Sequence, residues 1–139
     1  MTRSEETKLT NFLLNALRRR EQLRKALIEF QFKNINSENV KPDLLVYLLD
    51  NSNPYCYILF EFKQRTVLDI ERIRDQYAKY IQVNPTCFDS LIIPVPNIDL
   101  PVFITSIYYN TPNNILNSIV DQIRFREEDC ILDYTTQGG

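Results

Sequence analysis

The sequence predicts a single α/β domain, with a central mixed sheet flanked by helices and the element order α-β-β-α-β-β-α. Two observations carry that expectation. Two apolar runs, Leu44 to Leu49 and Tyr55 to Phe62, are joined by the short polar segment Asp50-Asn51-Ser52-Asn53-Pro54, which reads as a β-hairpin of buried strands. Segments with apolar residues at helical spacing stand before and after it. At 139 residues, 44% hydrophobic and 24% charged, the chain suits one globular domain with its own core.

Ser4, Glu5 and Glu6 make a helix start, with a capping oxygen and acids in the first turn. Leu9, Phe12, Leu13, Ala16 and Leu17 follow at helical spacing. The pattern resumes at Leu23, Ala26, Leu27 and Phe30, predicting one long helix or two joined near Arg20. Asn34 to Lys41 reads as a loop. In the hairpin, alternation places Asp43, Leu45, Tyr47 and Leu49 on one face, and Tyr57, Leu59, Glu61 and Lys63 on one face of the partner strand. From Thr66, the residues Val67, Ile70, Ile73, Tyr77, Tyr80 and Ile81 mark an amphipathic helix that ends at Asn84-Pro85. Leu91 to Val95 and Val102 to Tyr108 read as strands separated by a proline-marked loop, Pro96 to Pro101. Thr111-Pro112 opens a last helix containing Ile115, Leu116, Ile119, Val120 and Ile123. The tail after Leu132 is expected to be loose, so 133–139 is set apart as a flexible end.

Several absences restrict the chemistry. With no histidine there is no Ser-His-Asp or Cys-His catalysis and no histidine-ligated zinc. The only glycines are Gly138 and Gly139, which rules out a glycine-rich phosphate loop in the body. Left-handed backbone is therefore expected at asparagines, namely Asn51, Asn53, Asn113 and Asn114. Cys56, Cys87 and Cys130 are too few for a four-thiolate cluster and odd for a disulfide framework, so idle thiols are expected. No apolar run approaches the roughly 20 residues that span a membrane. The opening residues lack the order of a signal peptide, so a cytoplasmic protein is expected, of a style that suits a virus or mobile element.

Net charge is −2, yet the first 33 residues hold Arg3, Lys8, Arg18, Arg19, Arg20, Arg24, Lys25 and Lys33, half of the Lys and Arg. That basic face, with Arg18, Arg19 and Arg20 at its centre, is a candidate phosphate contact; a solvated helix face is the plain alternative.

The chemistry-bearing residues are Asp43, after Pro42, and Glu61-Phe62-Lys63 on the next strand. Two carboxylates converging from adjacent strands can hold a hard divalent cation, and a lysine two residues on shares the second carboxylate's face. That set is the minimum that metal-assisted phosphodiester hydrolysis needs. The plain alternatives are a turn-capping aspartate and a structural Glu61–Lys63 ion pair. Gln76 and Tyr80, four apart on one helical face, can hydrogen-bond a phosphate or a base edge.

These residues resemble the PD-(D/E)XK nuclease superfamily, which has a restriction-endonuclease-like core. Pro42-Asp43 and Glu61-Phe62-Lys63 match its motif, and Gln76-x-x-x-Tyr80 resembles the added motif of the RecB-like and Cas4-like exonuclease branch. The resemblance implies a DNA nuclease using Mg²⁺ or Mn²⁺. Asp43, Glu61 and the Phe62 carbonyl would be metal ligands, Lys63 the catalytic lysine, and Gln76 and Tyr80 contacts to the nucleic acid. It further implies a first-helix glutamate as an extra ligand, for which Glu5, Glu6, Glu21 and Glu29 are candidates and Glu6 is favoured by its spacing from Leu9 and Leu13. With no inserted recognition region, the expected substrate is single-stranded, end or branched DNA rather than a defined sequence. A homodimer through the Val102 to Ile107 strand or the last helix is an accompanying expectation. The alternative function is a non-catalytic nucleic-acid-binding or assembly module that retains the nuclease fold; a third reading is a protein-interaction domain.

Overall fold

The computed structural model describes residues 3–63, 70–88, 100–125 and 131–133. In order these form α1 (Arg3–Arg19), β1 (Leu23–Ile28), β2 (Phe32–Lys33), β3 (Asn39–Val40), β4 (Leu44–Asp50), β5 (Asn53–Lys63), α2 (Ile70–Tyr80), a short 3₁₀ turn (Pro85–Cys87), β6 (Val102–Tyr108), α3 (Asn113–Phe125) and β7 (Ile131–Asp133). One sheet runs β1-β4-β5-β6-β7, and β2 and β3 form a separate ribbon. The first three strands of the sheet are antiparallel, while β5, β6 and β7 are parallel. This is the expected mixed α/β domain, with β5 at the centre of its sheet.

Strand alternation divides the core in two. Leu44, Val46, Leu48, Ile58, Phe60 and Phe62 face α1 and α3, meeting Leu9, Leu13, Leu17, Leu116, Ile119 and Val120. Leu45, Tyr47, Tyr57 and Leu59 face the other way, toward Phe32, Val40, Tyr80, Val83 and Phe88. There Tyr47 stacks on Tyr57 with centroids 4.9 Å apart, and Phe88 meets Tyr57 edge-on at 4.9 Å. The hairpin register pairs Tyr47 with Tyr57 and Leu45 with Leu59, as alternation requires.

The segment after Arg20 is a strand, not a helix. Glu21 takes a left-handed φ of 56°. The Gln22 N–H reaches the Leu17 carbonyl at 3.0 Å and the Glu21 N–H reaches that of Arg18 at 3.0 Å, a Schellman closure that ends α1. A register shift between Leu23 and Lys25 marks a bulge in β1. That extra residue puts Leu23 and Ala26 on the α1 side and Leu27 on the opposite side, so a strand displays three-residue spacing. The expected Asn34 to Lys41 loop contains β3, and Ile131–Asp133 is an edge strand on β6 where a tail was expected to begin. The expected helix start at Thr66, the strand Leu91 to Val95, most of the Pro96 to Pro101 loop, Cys130 and the tail 134–139 lie outside the described residues.

Left-handed residues are Glu21, Glu29, Ser37, Asn51 and Ser52. Only Asn51 of the four expected asparagines is among them. Asn53 is extended in β5, and Asn113 and Asn114 open α3. Asn51 and Ser52 form the two-residue hairpin turn, where both positions require positive φ. Cys56 is a buried thiol and Cys87 a half-buried one. Among the described residues β6 lies between β5 and β7, and its Phe103, Ile104 and Ile107 are buried in the chain's own core. The apolar Leu116, Ile119 and Val120 of α3 are likewise spent on the chain's own core. Among the described residues, no helix is long and apolar enough to cross a membrane.

Glu21, which ends α1, and Ser52, in the hairpin turn, hold a side chain in the left-handed region where glycine would sit without steric cost. Glu21→Gly and Ser52→Gly should therefore each raise stability by about 0.5–1 kcal/mol. The check is a higher urea midpoint with an unchanged denaturant slope.

Candidate active site

Because β4 and β5 are antiparallel, the start of β4 lies beside the end of β5, which brings Asp43 next to Glu61-Phe62-Lys63. Asp43 Oδ2 accepts the Phe62 N–H at 2.7 Å. A residue in a strand directs its N–H and C=O to the same edge, so the Phe62 carbonyl also faces the edge on which Asp43 lies.

Glu61 is 7% exposed, an unusual place for a carboxylate. Phe60 and Phe62 on either side are buried against the α1 and α3 face, so alternation holds Glu61 on the opposite one. Tyr80 donates its hydroxyl to Glu61 Oε1. Burial, then the negative charge of Asp43, push the Glu61 carboxyl up to about 8, against weaker opposing pulls from Tyr80 and Lys63. Burial and the Glu61 charge hold the Tyr80 proton far above the ordinary tyrosine range, so Tyr80 remains a donor.

Lys63 does not close an ion pair on Glu61. Its Nζ donates to Gln76 Oε1, and the Gln76 amide in turn hydrogen-bonds the Tyr80 hydroxyl. The connection runs Lys63–Gln76–Tyr80–Glu61. Gln76 and Tyr80 thus hold the lysine and the glutamate in place, where the sequence pattern assigned them to the nucleic acid. Tyr80 is 4% exposed and offers no open face to a ligand.

These groups share a cleft of about 700 Å³. Asp43, Glu61 and Lys63 lie on its β4–β5 side; Arg72, Ile73, Gln76, Lys79 and Tyr80 of α2 form one wall, and Asn39, Val40 and Lys41 the other.

Of the four candidate glutamates, the fold brings two to Asp43. Carboxylate oxygens of Glu6, Glu29 and Asp43 lie within 4.8 Å of one another. Glu6 comes from the first turn of α1, whereas Glu29 follows β1 with a left-handed φ of 51° and donates its N–H to the Asp43 carbonyl at 3.1 Å. Glu21 is used at the far end of α1 to end the helix. Arg18 and Arg19 lie at that end too, about 18 Å from Glu6 along the axis at helical rise. Arg20 is occupied: it pairs with Asp121 at 2.9 Å and donates to the Ala16 carbonyl at 3.0 Å, tying α1 to α3. The arginine trio is therefore not part of this cleft.

Sequence reasoning missed Tyr109, Lys41, Arg72 and Lys79. Tyr109 packs edge-on against Phe62 at 6.1 Å, and its N–H reaches the Lys63 carbonyl at 3.0 Å. Burial, then the charges of Asp43 and Glu6, raise its hydroxyl above the ordinary range and keep it neutral. Nothing in the local pattern marks Tyr109. Arg72, Gln76 and Lys79 do share a helical face, a signal that was present in the sequence.

The donor set around Asp43 consists of carboxylate and backbone oxygens, which suits a hard divalent cation. Burial first, and the Asp43 charge second, raise Glu61, and a cation there would offset both. Compared with protein-family models, curated proteins and solved structures, the chain matches none.

Glu61 gives the fold a pH dependence of definite sign. Its folded-state value near 8 stands above the ordinary glutamate value of 4.5, so native protein holds the proton more tightly than unfolded chain. The resulting stability is complete below about pH 4.5 and is lost as pH rises through about 8. Without divalent metal, wild type should lose on the order of 5 kcal/mol across that window relative to Glu61→Gln. Urea unfolding of both proteins at pH 5, 7 and 8.5 provides the check, and equal slopes would count against it.

Proposed function

We propose that this protein is a metal-dependent DNA nuclease that hydrolyses phosphodiester bonds at single strands, ends or branches rather than at a defined sequence. The observation that supports this best is the convergence of Asp43, Glu61 and Lys63 on one cleft, each oriented by a hydrogen bond to a neighbour. Asp43 and Glu61, with Glu6 and the Phe62 carbonyl, are the residues that would hold Mg²⁺ or Mn²⁺. When bound, such an ion supplies Lewis-acid charge and makes water acidic enough to attack phosphorus near neutral pH.

The chain's own groups account for the rest. Tyr80 donates to Glu61 Oε1, and the Glu61 and Asp43 carboxyl groups are themselves hydrogen-bonded, an arrangement that a bound cation would replace. Gln76 holds the Lys63 ammonium in the cleft, where it can donate to a phosphate oxygen and stabilise charge that grows during in-line attack. The glutamine amide keeps lysine and glutamate from collapsing onto each other, which preserves both for substrate. The Asp43 bond to the Phe62 N–H fixes the first carboxylate against the strand that carries the second.

Labelled single-stranded, duplex, flapped and four-way-junction DNA incubated with Mg²⁺ or Mn²⁺ tests this reading. Cutting should vanish with a chelator and fall by about 10²–10³-fold or more in Asp43→Ala, Glu61→Ala and Lys63→Ala. Tyr80→Phe, which keeps the ring and removes the donor, should cost about tenfold. Binding without cutting by wild type would make the domain a nucleic-acid-binding module on a nuclease-like site. Neither binding nor cutting on any substrate would sink the proposal.

A further inference from the structure

We infer that the cleft holds the phosphate backbone of a single DNA strand between Lys41 on one wall and Arg72 and Lys79 on the other, and that paired duplex is excluded from it. This rests on the nuclease reading of the same cleft.

The charge is placed for it. Lys41 leaves the β2–β3 ribbon just before Pro42-Asp43, and Arg72 and Lys79 lie on one face of α2, about 10 Å apart along its axis at helical rise. All three are exposed, with the cleft between them. Among the described residues, neither the Lys41 nor the Lys79 ammonium has a carboxylate partner within ion-pair distance. Asp75 is the one acid on these walls; Glu38, near the outer side of Lys79, already accepts from Asn34 at 3.1 Å. The walls therefore offer a net positive track to a polyanion, leading to the Lys63 ammonium beside Glu61.

The size of the cleft selects one strand. A sphere of about 700 Å³ is about 11 Å across, whereas the major groove of B-form DNA alone is about 12 Å wide. Glu61, 7% exposed, is reached only by a phosphate that descends between the walls. A strand held in a duplex cannot follow that path without unpairing. Of the two aromatic residues at the cleft, Phe62 turns its ring into the α1 and α3 core and Tyr80 is buried, so the cleft presents no stacking platform for bases. Recognition falls on phosphates, which carry no sequence information.

The test measures binding of a fluorescein-labelled 20-nucleotide single strand, and of the same sequence as blunt duplex, to the full chain carrying Glu61→Gln in Mg²⁺. Titrations run from 50 to 200 mM salt. The single strand should bind at least tenfold tighter than the duplex. Adding Lys41→Gln or Lys79→Gln should weaken single-strand binding about five- to tenfold and lower the slope of log K against log salt by about 0.7 each. Arg18→Gln with Arg19→Gln should change neither. Circular dichroism and melting of each variant separate loss of grip from loss of fold. Duplex binding as tight as single strand, unchanged slopes in the lysine variants, or a slope carried by Arg18 and Arg19 would each overturn the inference. Parallel cleavage by the unmodified chain separates the two claims. Glu61-dependent cutting with lysine variants that bind normally leaves the nuclease and removes the grip. A lysine-dependent grip with no cutting does the reverse.

Discussion

A carboxylate buried in a sheet must take a proton or be matched, and Glu61 imposes that condition on everything around it. Its position is not adjustable. Phe60 and Phe62 anchor β5 in the α1 and α3 core on one face, and the two-residue period of the strand then fixes Glu61 on the other. Asp43 is equally fixed, since its carboxylate accepts the N–H of Phe62. Two like charges are thus held together by backbone geometry, and side-chain rotation relieves little of the repulsion. Tyr80 answers part of the demand as a permanent donor, itself kept protonated by the same negative field. The remainder is an unmet call for positive charge at one corner of the sheet, where Glu6 and Glu29 add further carboxylates. A fold built only for stability gains nothing from that concentration.

The walls of the cleft are joined by one buried side chain. Asn34, 5% exposed, accepts the N–H groups of Asn36 and Glu38 at 3.0 Å each, which shapes the turn between β2 and β3. Its amide nitrogen donates to the Lys79 carbonyl at 3.0 Å, and the Ile35 N–H reaches the Gln82 carbonyl at 2.9 Å. Carbonyls at the end of a helix lack intrahelical partners, so the ribbon satisfies α2 where it would otherwise be exposed. The same bonds set the separation between Lys41 and Lys79. Cleft width is therefore a property of secondary-structure capping rather than of loops free to vary.

Much of the site was legible because strands obey a short period. Asp43, Glu61 and Lys63 follow from alternation and from the hairpin turn at Asn51 and Ser52, both local features. What was not legible depended on events outside the local window. The bulge near Arg24 made an edge strand repeat its apolar residues as a helix does, and only pairing with β4 reveals the difference. Left-handed backbone fell on Glu21, Glu29, Ser37 and Ser52 because chain direction at element ends demanded it, overriding residue preference. The spacing of Gln76 and Tyr80 marks one helical face, but what those side chains contact turns on burial. A buried tyrosine beside a buried carboxylate serves that carboxylate before any ligand. The arginines at the end of α1 lie away from the cleft, because charge in sequence carries no information about distance.

That distance matters for how an acidic protein could engage a polyanion at all. With a net charge of −2, long-range attraction gives little help to an approaching strand. At physiological salt the screening length is about 8 Å, so charges farther away than that are largely invisible to an exposed phosphate. Arg18 and Arg19, about 18 Å down the helix from Glu6, fall outside that range. Lys41, Arg72, Lys79 and Lys63 surround the cleft itself, and Lys63 is only half-exposed, where screening is weaker. On the nuclease reading, affinity is then governed by four local cations rather than by overall charge. Capture is slow to begin and selective at contact, since only a phosphate already between the walls experiences the positive field. An acidic isoelectric point is compatible with that mode of binding, and it disfavours indiscriminate coating of duplex DNA by the protein's outer surface.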